Sequence, residues 1–276
     1  MSDLPQLLGC DFSSSPTRAK PIVMALGSHR FGCVRLGKLE RLESLDAFEV
    51  WLSQSAGWVG AFDLPFALPR ELVEYLDWPV QWPQLMHHYA SLSRLEIRNT
   101  FAAFCNARPV GQKFAHRATD KLAGSSPSMK WVNPPVAYML HAGAPRLLKA
   151  GVHFPGLHDG DPTRVALEGY PALLAREVLG RRSYKSDDKV KQTGDRLIAR
   201  KDLITALEHG QTRLKLRVKL THAQRDNLVA DAKGDSLDAV LCLMQAAWAQ
   251  IQHEKGVPHY GLPAGLDPLE GWVVTA

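Results

Sequence analysis

The chain has 276 residues, 45% hydrophobic and 22% charged, with a net charge of +5. This composition is typical of a globular protein that forms one sizeable domain. Apolar runs are too short for a transmembrane helix, and no basic region of a secretory signal opens the chain, so we expect no membrane association. The four cysteines are widely spaced, which excludes zinc-ribbon and dithiol redox motifs and favours reduced thiols in the cytoplasm.

The first sixty residues predict three strands, a helix and a fourth strand. Gly27 and Gly32 end the second strand and begin the third, with a short polar turn between them. Ser44 is a candidate helix cap, and Pro65 closes the fourth strand because proline cannot extend a central ladder. The predicted elements are strands at 7–12, 21–26 and 33–37, a helix from about 45 to 52, and a strand at 58–63.

Residues from about 70 to 150 are rich in aromatic side chains and mostly helical in periodicity, which predicts a helical insertion over the sheet. The strand pattern resumes at 164–168. Helices are expected at about 172–179, 189–208 and 237–253, and residues 267–274 could add a short terminal strand. The last helix carries a continuous apolar stripe, typical of a helix packed in the core.

Residues 181–220 contain twelve basic and five acidic side chains, an excess of seven positive charges, so the remainder of the chain is slightly acidic. A basic region beside an acidic site suits a phosphate-rich partner, although a solvated charged surface explains it equally. Within this region, residues 213–220 alternate strictly between basic and apolar, which predicts a strand with one buried face. Its charges either protect a sheet edge or, alternatively, contact phosphates.

Acidic residues recur at the ends of predicted apolar strands and at the start of the last helix. Such positions are unusual, because apolar strands rarely carry ionised groups without a reason. If the strands are neighbours, their carboxylates meet in one crevice, a common ligand site in α/β sheets. The acids are Asp11, Asp63, Glu168, Asp235 and Asp238.

Several carboxylates at one point must lie well apart, be partly protonated or share a bound cation. Two like charges 4 Å apart cost roughly 4 kcal/mol at an effective dielectric of about 20, and three or four would cost several times that. This is comparable to the ~5–15 kcal/mol stability of a whole domain. Mg²⁺ prefers oxygen ligands, and a pair of such ions can activate water and stabilise a leaving oxygen on phosphate.

Each acid also has a structural interpretation. Asp11 could begin an Asx-turn into Ser13, and Asp63 could simply end its strand. Asp235 could cap the last helix and Asp238 favour its first turn by charge, while Glu168 could cap the helix that follows it. The order of these acids along the chain is more specific than any single one.

That order resembles the ribonuclease H-like fold, and residues 234–242 look like the last catalytic helix of Holliday-junction resolvases in that superfamily. The closer resemblance is to the family designated domain of unknown function 429, regarded as predicted ribonuclease H-like nucleases. It spans nearly the whole chain. The residues that carry it are 9–13, 61–65, 116–120, 133–136, 168–172, the final helix and 267–272.

The resemblance implies a single ribonuclease H-like α/β domain over residues 1–276, with a mixed sheet flanked by helices and the insertion at about 70–150. It implies that Asp11, Asp63 and Asp238 hold Mg²⁺ or Mn²⁺, with Asp235 or Glu168 as a further ligand or proton-transfer group. Many relatives of the fold carry glutamate on the fourth strand, where this chain has Asp63, one methylene shorter.

Three further residues are candidates for substrate binding. His116 and Arg117, in the insertion, combine a proton carrier with a phosphate-binding cation, although they could equally form a polar helix surface. Lys185 follows the Glu168 segment and could contact phosphate. The remaining histidines lack the spacing of a metal site. The common nucleotide-binding loops and the G-x-S-x-G elbow are absent.

We therefore expect a metal-dependent nuclease acting on DNA or RNA. A non-catalytic nucleic-acid-binding or assembly module of the same fold is the alternative. A nucleotide-dependent phosphotransferase is a third possibility, but such enzymes need two domains of this kind and glycine-rich loops. Nothing in the sequence indicates the oligomeric state.

Overall fold

A computed structural model describes residues 6–54 and 56–276. Within these residues, seven strands form one sheet in the order β5-β6-β4-β1-β2-β3-β7. The strands are β1 (Gln6–Asp11), β2 (Ile22–Arg30), β3 (Cys33–Leu42), β4 (Trp58–Asp63), β5 (Val152–His153), β6 (Asp161–Glu168) and β7 (Arg217–Lys219).

The sheet is mixed. β1, β2 and β3 follow one another as antiparallel neighbours, while β4 lies parallel to β1 on its other side and β6 lies parallel to β4. β5 and β7 add short parallel pairings at the two edges. The prediction of an α/β protein with a mixed sheet flanked by helices is confirmed.

Ten α-helices surround the sheet in the described part of the chain, and five of them lie between residues 70 and 149. No helix among the residues described combines the length and apolarity needed to cross a membrane. The helices are α1 (Leu45–Gln54), α2 (Arg70–Tyr75), α3 (Trp82–Ser91), α4 (Arg94–Asn106), α5 (Ala118–Ala123), α6 (Val136–Lys149), α7 (Pro171–Leu179), α8 (Gly194–Glu208), α9 (His222–Ala230) and α10 (Asp235–Glu254).

The two faces of the sheet bury different cores. Phe62 points to one face, where it packs with α1 and the helices of residues 70–149. Val59 and Ala61 point to the other face, where they pack with α7, α8 and α10. Because successive side chains of a strand alternate between faces, a one-residue difference decides which core a strand residue meets.

Four sequence predictions need correction. The second strand does not end at Gly27 but continues to Arg30, with a register shift between Leu26 and Gly27, and the third continues to Leu42. The helix expected from 189 begins at Gly194, after a short 3₁₀ turn at Lys189–Lys191. The strand expected over 213–220 is reduced to β7, because Lys215 has φ of 54° and interrupts the extended backbone, although Leu214, Leu216 and Val218 are buried as the alternation predicts. The expected terminal strand is a single bridge between Val273 and Glu168.

Candidate metal centre

Asp11 and Asp63 end two adjacent parallel strands at the same level of the sheet. They are Cα partners in the register of β1 and β4. Residues paired across neighbouring strands point to the same face, so both carboxylates lie on the α10 side of the sheet. This adjacency follows from two apolar strands of six residues, each ending in aspartate.

The third acid comes from α10, which crosses β1 in direct backbone contact. A Cβ atom at Gly9 would lie 2.0 Å from the carbonyl oxygen of Ala239, so only glycine permits this approach. Asp238 precedes Ala239 and is completely buried. The close crossing therefore carries the Asp238 carboxylate to the end of β1, beside Asp11.

The helix start is capped by a residue that precedes it. Gly234 is the N-cap residue with φ of 77°, and the Asp231 carboxylate accepts a hydrogen bond from the Ser236 backbone N–H at 2.9 Å. Asp231 thus takes the capping role that the sequence offered to Asp235. Asp235 and Asp238 remain free for other contacts.

The carboxylates of Asp11, Asp63 and Asp238 each offer one oxygen, and these three atoms lie within 4.8 Å of one another. Asp11 is 8% exposed and Asp63 is half-buried. Among the residues described, no side chain or backbone group donates a hydrogen bond to Asp11 or Asp63. Two acids buried together without donors are costly unless a cation or a proton joins them.

The pKa values of the three carboxyl groups reflect this cost. Burial, and next the charge of Asp238, raise the pKa of Asp11 well above the usual range of a carboxylic acid. The same two causes raise the pKa of Asp63 to about 7. Burial also raises the pKa of Asp238, against the lowering effect of the Lys185 ammonium. Without a metal, the site therefore retains protons that a divalent cation would displace.

Asp238, unlike its two neighbours, is held by protein donors. The Tyr184 hydroxyl donates to its Oδ1 and Lys185 Nζ donates to its Oδ2. Arg200 fixes the Tyr184 carbonyl at 2.8 Å, and Ser186 N–H donates to the Ala232 carbonyl. The structure places the Lys185 ammonium at the acidic cluster, with the side chain 40% exposed. Its predicted contact with phosphate stays a prediction.

Asp235 lies outside the group of three. Its carboxylate accepts a hydrogen bond from Lys20 Nζ at 2.7 Å, and Lys20 also contacts Asp187 at 3.1 Å. The structure therefore gives Asp235 the role of anchoring a lysine at the rim of the site. The sequence analysis did not identify Lys20 or Tyr184. The only signal for Lys20 was its position just before a predicted strand, and the only signal for Tyr184 was its position next to Lys185.

Glu168 faces the other side of the sheet. Its Cα partner on β4 is Phe62, one residue before Asp63, so its side chain shares a face with Phe62. Both of its carboxylate oxygens accept from Arg117, at 2.6 and 2.7 Å, and one also accepts from the Phe66 N–H. These contacts do not support the expected role of Glu168 as a metal ligand or proton-transfer group.

The expectation that Arg117 binds substrate needs correction. Arg117 is 1% exposed, and a guanidinium has five N–H donors. Its donors make five hydrogen bonds, to Asp120, Glu168 and the carbonyl of Glu270. Arg117 therefore fastens the insertion to β6 and to the C-terminal segment, with no donor left for a phosphate.

The remaining substrate candidate and the basic region are placed as follows. His116 is exposed, although the next residue, Arg117, is buried. The basic region 181–220 divides in two. Lys185, Lys189 and Lys191 belong to the segment that borders the acids, whereas β7 pairs with Cys33–Arg35 at the opposite end of the sheet. Only the first part of the region therefore lies where it could contact a phosphate at the acids, and the β7 charges fit the edge-protection alternative.

The donor set matches a hard divalent cation. Ligands on opposite sides of Mg²⁺ lie about 4.2 Å apart, so oxygens no more than 4.8 Å apart need only small rotations to converge. Carboxylates suit Mg²⁺, Ca²⁺ and Mn²⁺ rather than soft metals. The triad could thus hold a metal ion, and the unpartnered oxygens of Asp11 and Asp63 are where it would bind first.

No protein-family model, curated protein or solved structure matches this chain. What the site can do follows from its own residues. Three carboxylates on one face of the sheet can hold a cation, and two lysines beside them, Lys20 and Lys185, can approach an anion. A cation flanked by ammonium groups at the carboxyl ends of two central strands suits a phosphate ester.

Proposed function

We propose that this protein is a Mg²⁺- or Mn²⁺-dependent phosphodiesterase that hydrolyses the backbone of nucleic acid. The observation that carries the proposal is the convergence of Asp11, Asp63 and Asp238 within 4.8 Å. Asp11 and Asp63 find no donor among the described residues, so their charge is left for a cation. When bound, such a cation would activate water and neutralise charge on the phosphate.

The residues around the triad have separate roles. Asp11 and Asp63 would hold the cation between the ends of β1 and β4, with Asp238 completing its ligands from α10. Tyr184 orients Asp238 by donating to Oδ1. Lys185, whose ammonium lies at Oδ2 and is partly exposed, would turn to a phosphate oxygen once the cation neutralises Asp238.

The charge of the rim supports a polyanionic substrate. Lys20 and Lys185 have side chains about 40% exposed, and the exposed Lys189 and Lys191 follow in the same segment. Positive charges along one edge bind successive backbone phosphates and release counterions. A small phosphate ester would need fewer of them.

The resemblance to ribonuclease H-like nucleases supports the same reaction. The resemblance is carried by three strands, a helix, an acid-bearing fourth strand and a late helix with paired acids, and the structure has these elements in this order. In this structure the same order brings two strand-end acids and one helix acid together. The resemblance suggests the cleavage of nucleic acid, and the geometry supplies the residues.

The direct experiment is cleavage of labelled single-stranded and duplex DNA and RNA with Mn²⁺. Asp11→Asn, Asp63→Asn and Asp238→Asn are each expected to lower kcat at least 100-fold, because each removes a ligand charge. Asp226→Asn, at an exposed position on α9, is the matched control and should cleave like wild type. Full activity of Asp11→Asn and Asp238→Asn would refute the proposal.

A non-catalytic nucleic-acid-binding module is the second candidate, and one observation favours it. Both oxygens of Asp238 already accept from protein donors, and Asp235 is paired with Lys20, so the acids are partly neutralised without metal. This candidate predicts salt-sensitive binding of nucleic acid. It also predicts no cleavage with any divalent ion, and unchanged binding by Asp11→Asn.

A further inference from the structure

A half-open cavity adjoins the metal centre and shares Asp63 with it. It lies where the strand ends β4 and β6 meet the insertion. We call it the side cavity. It is lined by Asp63, Leu64, Pro65, Arg117, Ser125, Ser126, Pro134, Val136, Met139, Glu168, Gly169, Tyr170 and Val273.

The chemistry of its walls favours an uncharged group. Most of the lining is apolar and includes flat proline surfaces and the Tyr170 ring. Arg117, the one guanidinium among the described residues of the lining, has all its donors engaged by Asp120, Glu168 and the Glu270 carbonyl, so it has none to offer a ligand. A phosphate would therefore lack a partner there and sit beside the charge of Asp63.

The Ser126 hydroxyl is an uncharged polar group that is available for recognition. Ser126 is half-buried and its hydroxyl makes no hydrogen bond with the residues that the structure describes, whereas the neighbouring Ser125 donates to Asp120 at 3.1 Å. An apolar cleft with one available hydroxyl suits a planar heterocycle that carries hydrogen-bonding edges. A hydrocarbon would leave the hydroxyl unused.

The size of the cavity limits its occupant. Its volume is about 80 Å³, room for roughly five to eight water molecules at ~10–15 Å³ each. A pyrimidine base, with eight or nine heavy atoms, is of this size, and a base pair is too large. Asp63 lines the cavity and also belongs to the triad, so a base here and a phosphate there could come from one strand.

We propose that the side cavity receives one unpaired nucleobase next to the scissile phosphate, so the substrate is single-stranded nucleic acid or a strand with a displaced nucleotide. This inference rests on the proposed nuclease function and names its substrate class. A paired base would first have to unpair and leave its stack, and the free-energy cost of this step is smallest in a single strand. Contacts of a base with apolar and aromatic walls are tolerant of base identity.

The first test varies the substrate and uses the wild-type protein. Mn²⁺-dependent cleavage of a single strand should be at least ten-fold faster than cleavage of the fully paired duplex of the same sequence. Replacing the nucleotide at the cleavage position by an abasic one should lower kcat/KM about ten-fold. Equal rates on duplex, single strand and abasic strand would overturn the inference while leaving the nuclease function intact. DNA and RNA versions of each strand identify which sugar is accepted.

The second test fills the cavity. Ser126→Phe should lower kcat/KM on the normal single strand about ten-fold and change little on the abasic strand, because both alterations remove the same contact. Ser53→Phe is the matched control, at an exposed position near the end of α1. A loss of the same size on both strands would contradict the inference.

A binding measurement separates this inference from the nuclease proposal. A single strand with one 2-aminopurine should change its fluorescence when bound in Ca²⁺, and Ser126→Phe should abolish the change while Ser53→Phe retains it. This result in a protein that cleaves nothing would end the nuclease proposal and support the cavity. Cleavage without any fluorescence change, or with a change that Ser126→Phe retains, would overturn the cavity inference and leave the nuclease proposal standing.

Discussion

Gly9 and Ala239 bring the backbones of β1 and α10 into direct contact. The Ala239 carbonyl oxygen occupies the space that a Cβ atom of residue 9 would need, at a distance of 2.0 Å. Asp11 lies two residues after Gly9 and Asp238 immediately before Ala239. The same crossing that requires glycine therefore sets the distance between two of the three acids.

Gly9→Ala tests this crossing. Because backbone atoms cannot move as a flexible side chain does, we expect the variant to lose at least the ~1–3 kcal/mol typical of overpacked cores. Urea denaturation measures the loss. Gly194→Ala is the control, since a Cβ atom there meets nothing within 4 Å, and its stability should equal or exceed that of wild type. Equal stabilities of the two variants would argue against the close crossing.

The fold's central strands and the acids at their ends are predictable from sequence, because each is a short apolar run that ends in aspartate. Asp11 and Asp63 were identified in this way, and α10 by its apolar stripe. Gly9 carried a usable signal as well, because a glycine inside an apolar strand indicates close backbone approach.

The face of the sheet to which Glu168 points depends on the register of β6 against β4, which the sequence does not determine. Glu168 ends a strand as Asp63 does, yet it is paired with Phe62 rather than Asp63 and so faces the opposite core. The Arg117–Glu168 pair spans 51 positions along the chain, and the Tyr184–Asp238 contact spans 54. Such contacts depend on how α5 and the segment before α8 fold back, which local patterns do not specify.

Arg117→Met separates a structural role from substrate binding. Removing one partner of a buried ion pair leaves Glu168 and Asp120 uncompensated and costs about 3–5 kcal/mol. We expect this loss in urea denaturation, and the double variant R117M/E168Q should recover part of it. A variant of unchanged stability but weaker nucleic-acid binding would instead restore Arg117 as a substrate ligand.

The metal-free protein should lose stability as pH rises from about 5 to 7.5. The pKa of Asp63 is about 7 in the folded protein and ~3.9 when unfolded, so between these values the folded state binds more protons. The contribution of Asp63 to stability is therefore fully present below about pH 4 and is lost as pH rises through its folded pKa of about 7. Thermal unfolding in EDTA should show a Tm that falls by several degrees.

Two comparisons check the cause of this fall. Asp63→Asn cannot ionise, so its Tm should fall less over the same pH range, and saturating Mn²⁺ should reverse the fall in wild type. A wild-type Tm that rises from pH 5 to 7.5 in EDTA would contradict a raised pKa of Asp63 as the dominant influence.

Nucleic-acid affinity should depend on lysines near the acids and not on those of β7. In Ca²⁺, the double variant K189Q/K191Q should reduce the slope of log affinity against log salt by about 1.4, since each phosphate contact to a single strand contributes ~0.7. R217Q/K219Q removes two exposed charges at the opposite end of the sheet and should leave the slope unchanged. The reverse result would place the nucleic acid along β7.

The convergence of three carboxylates on one cation is the central claim, and direct Mn²⁺ binding tests it best. Titration followed by electron paramagnetic resonance should show saturable binding to wild type and to Asp226→Asn. Asp11→Asn and Asp238→Asn should bind Mn²⁺ at least ten-fold more weakly. Each variant removes one negative charge from the three carboxylates whose oxygens lie within 4.8 Å of one another. Equal Mn²⁺ affinity in all four proteins, or no saturable binding to wild type, would contradict the claim.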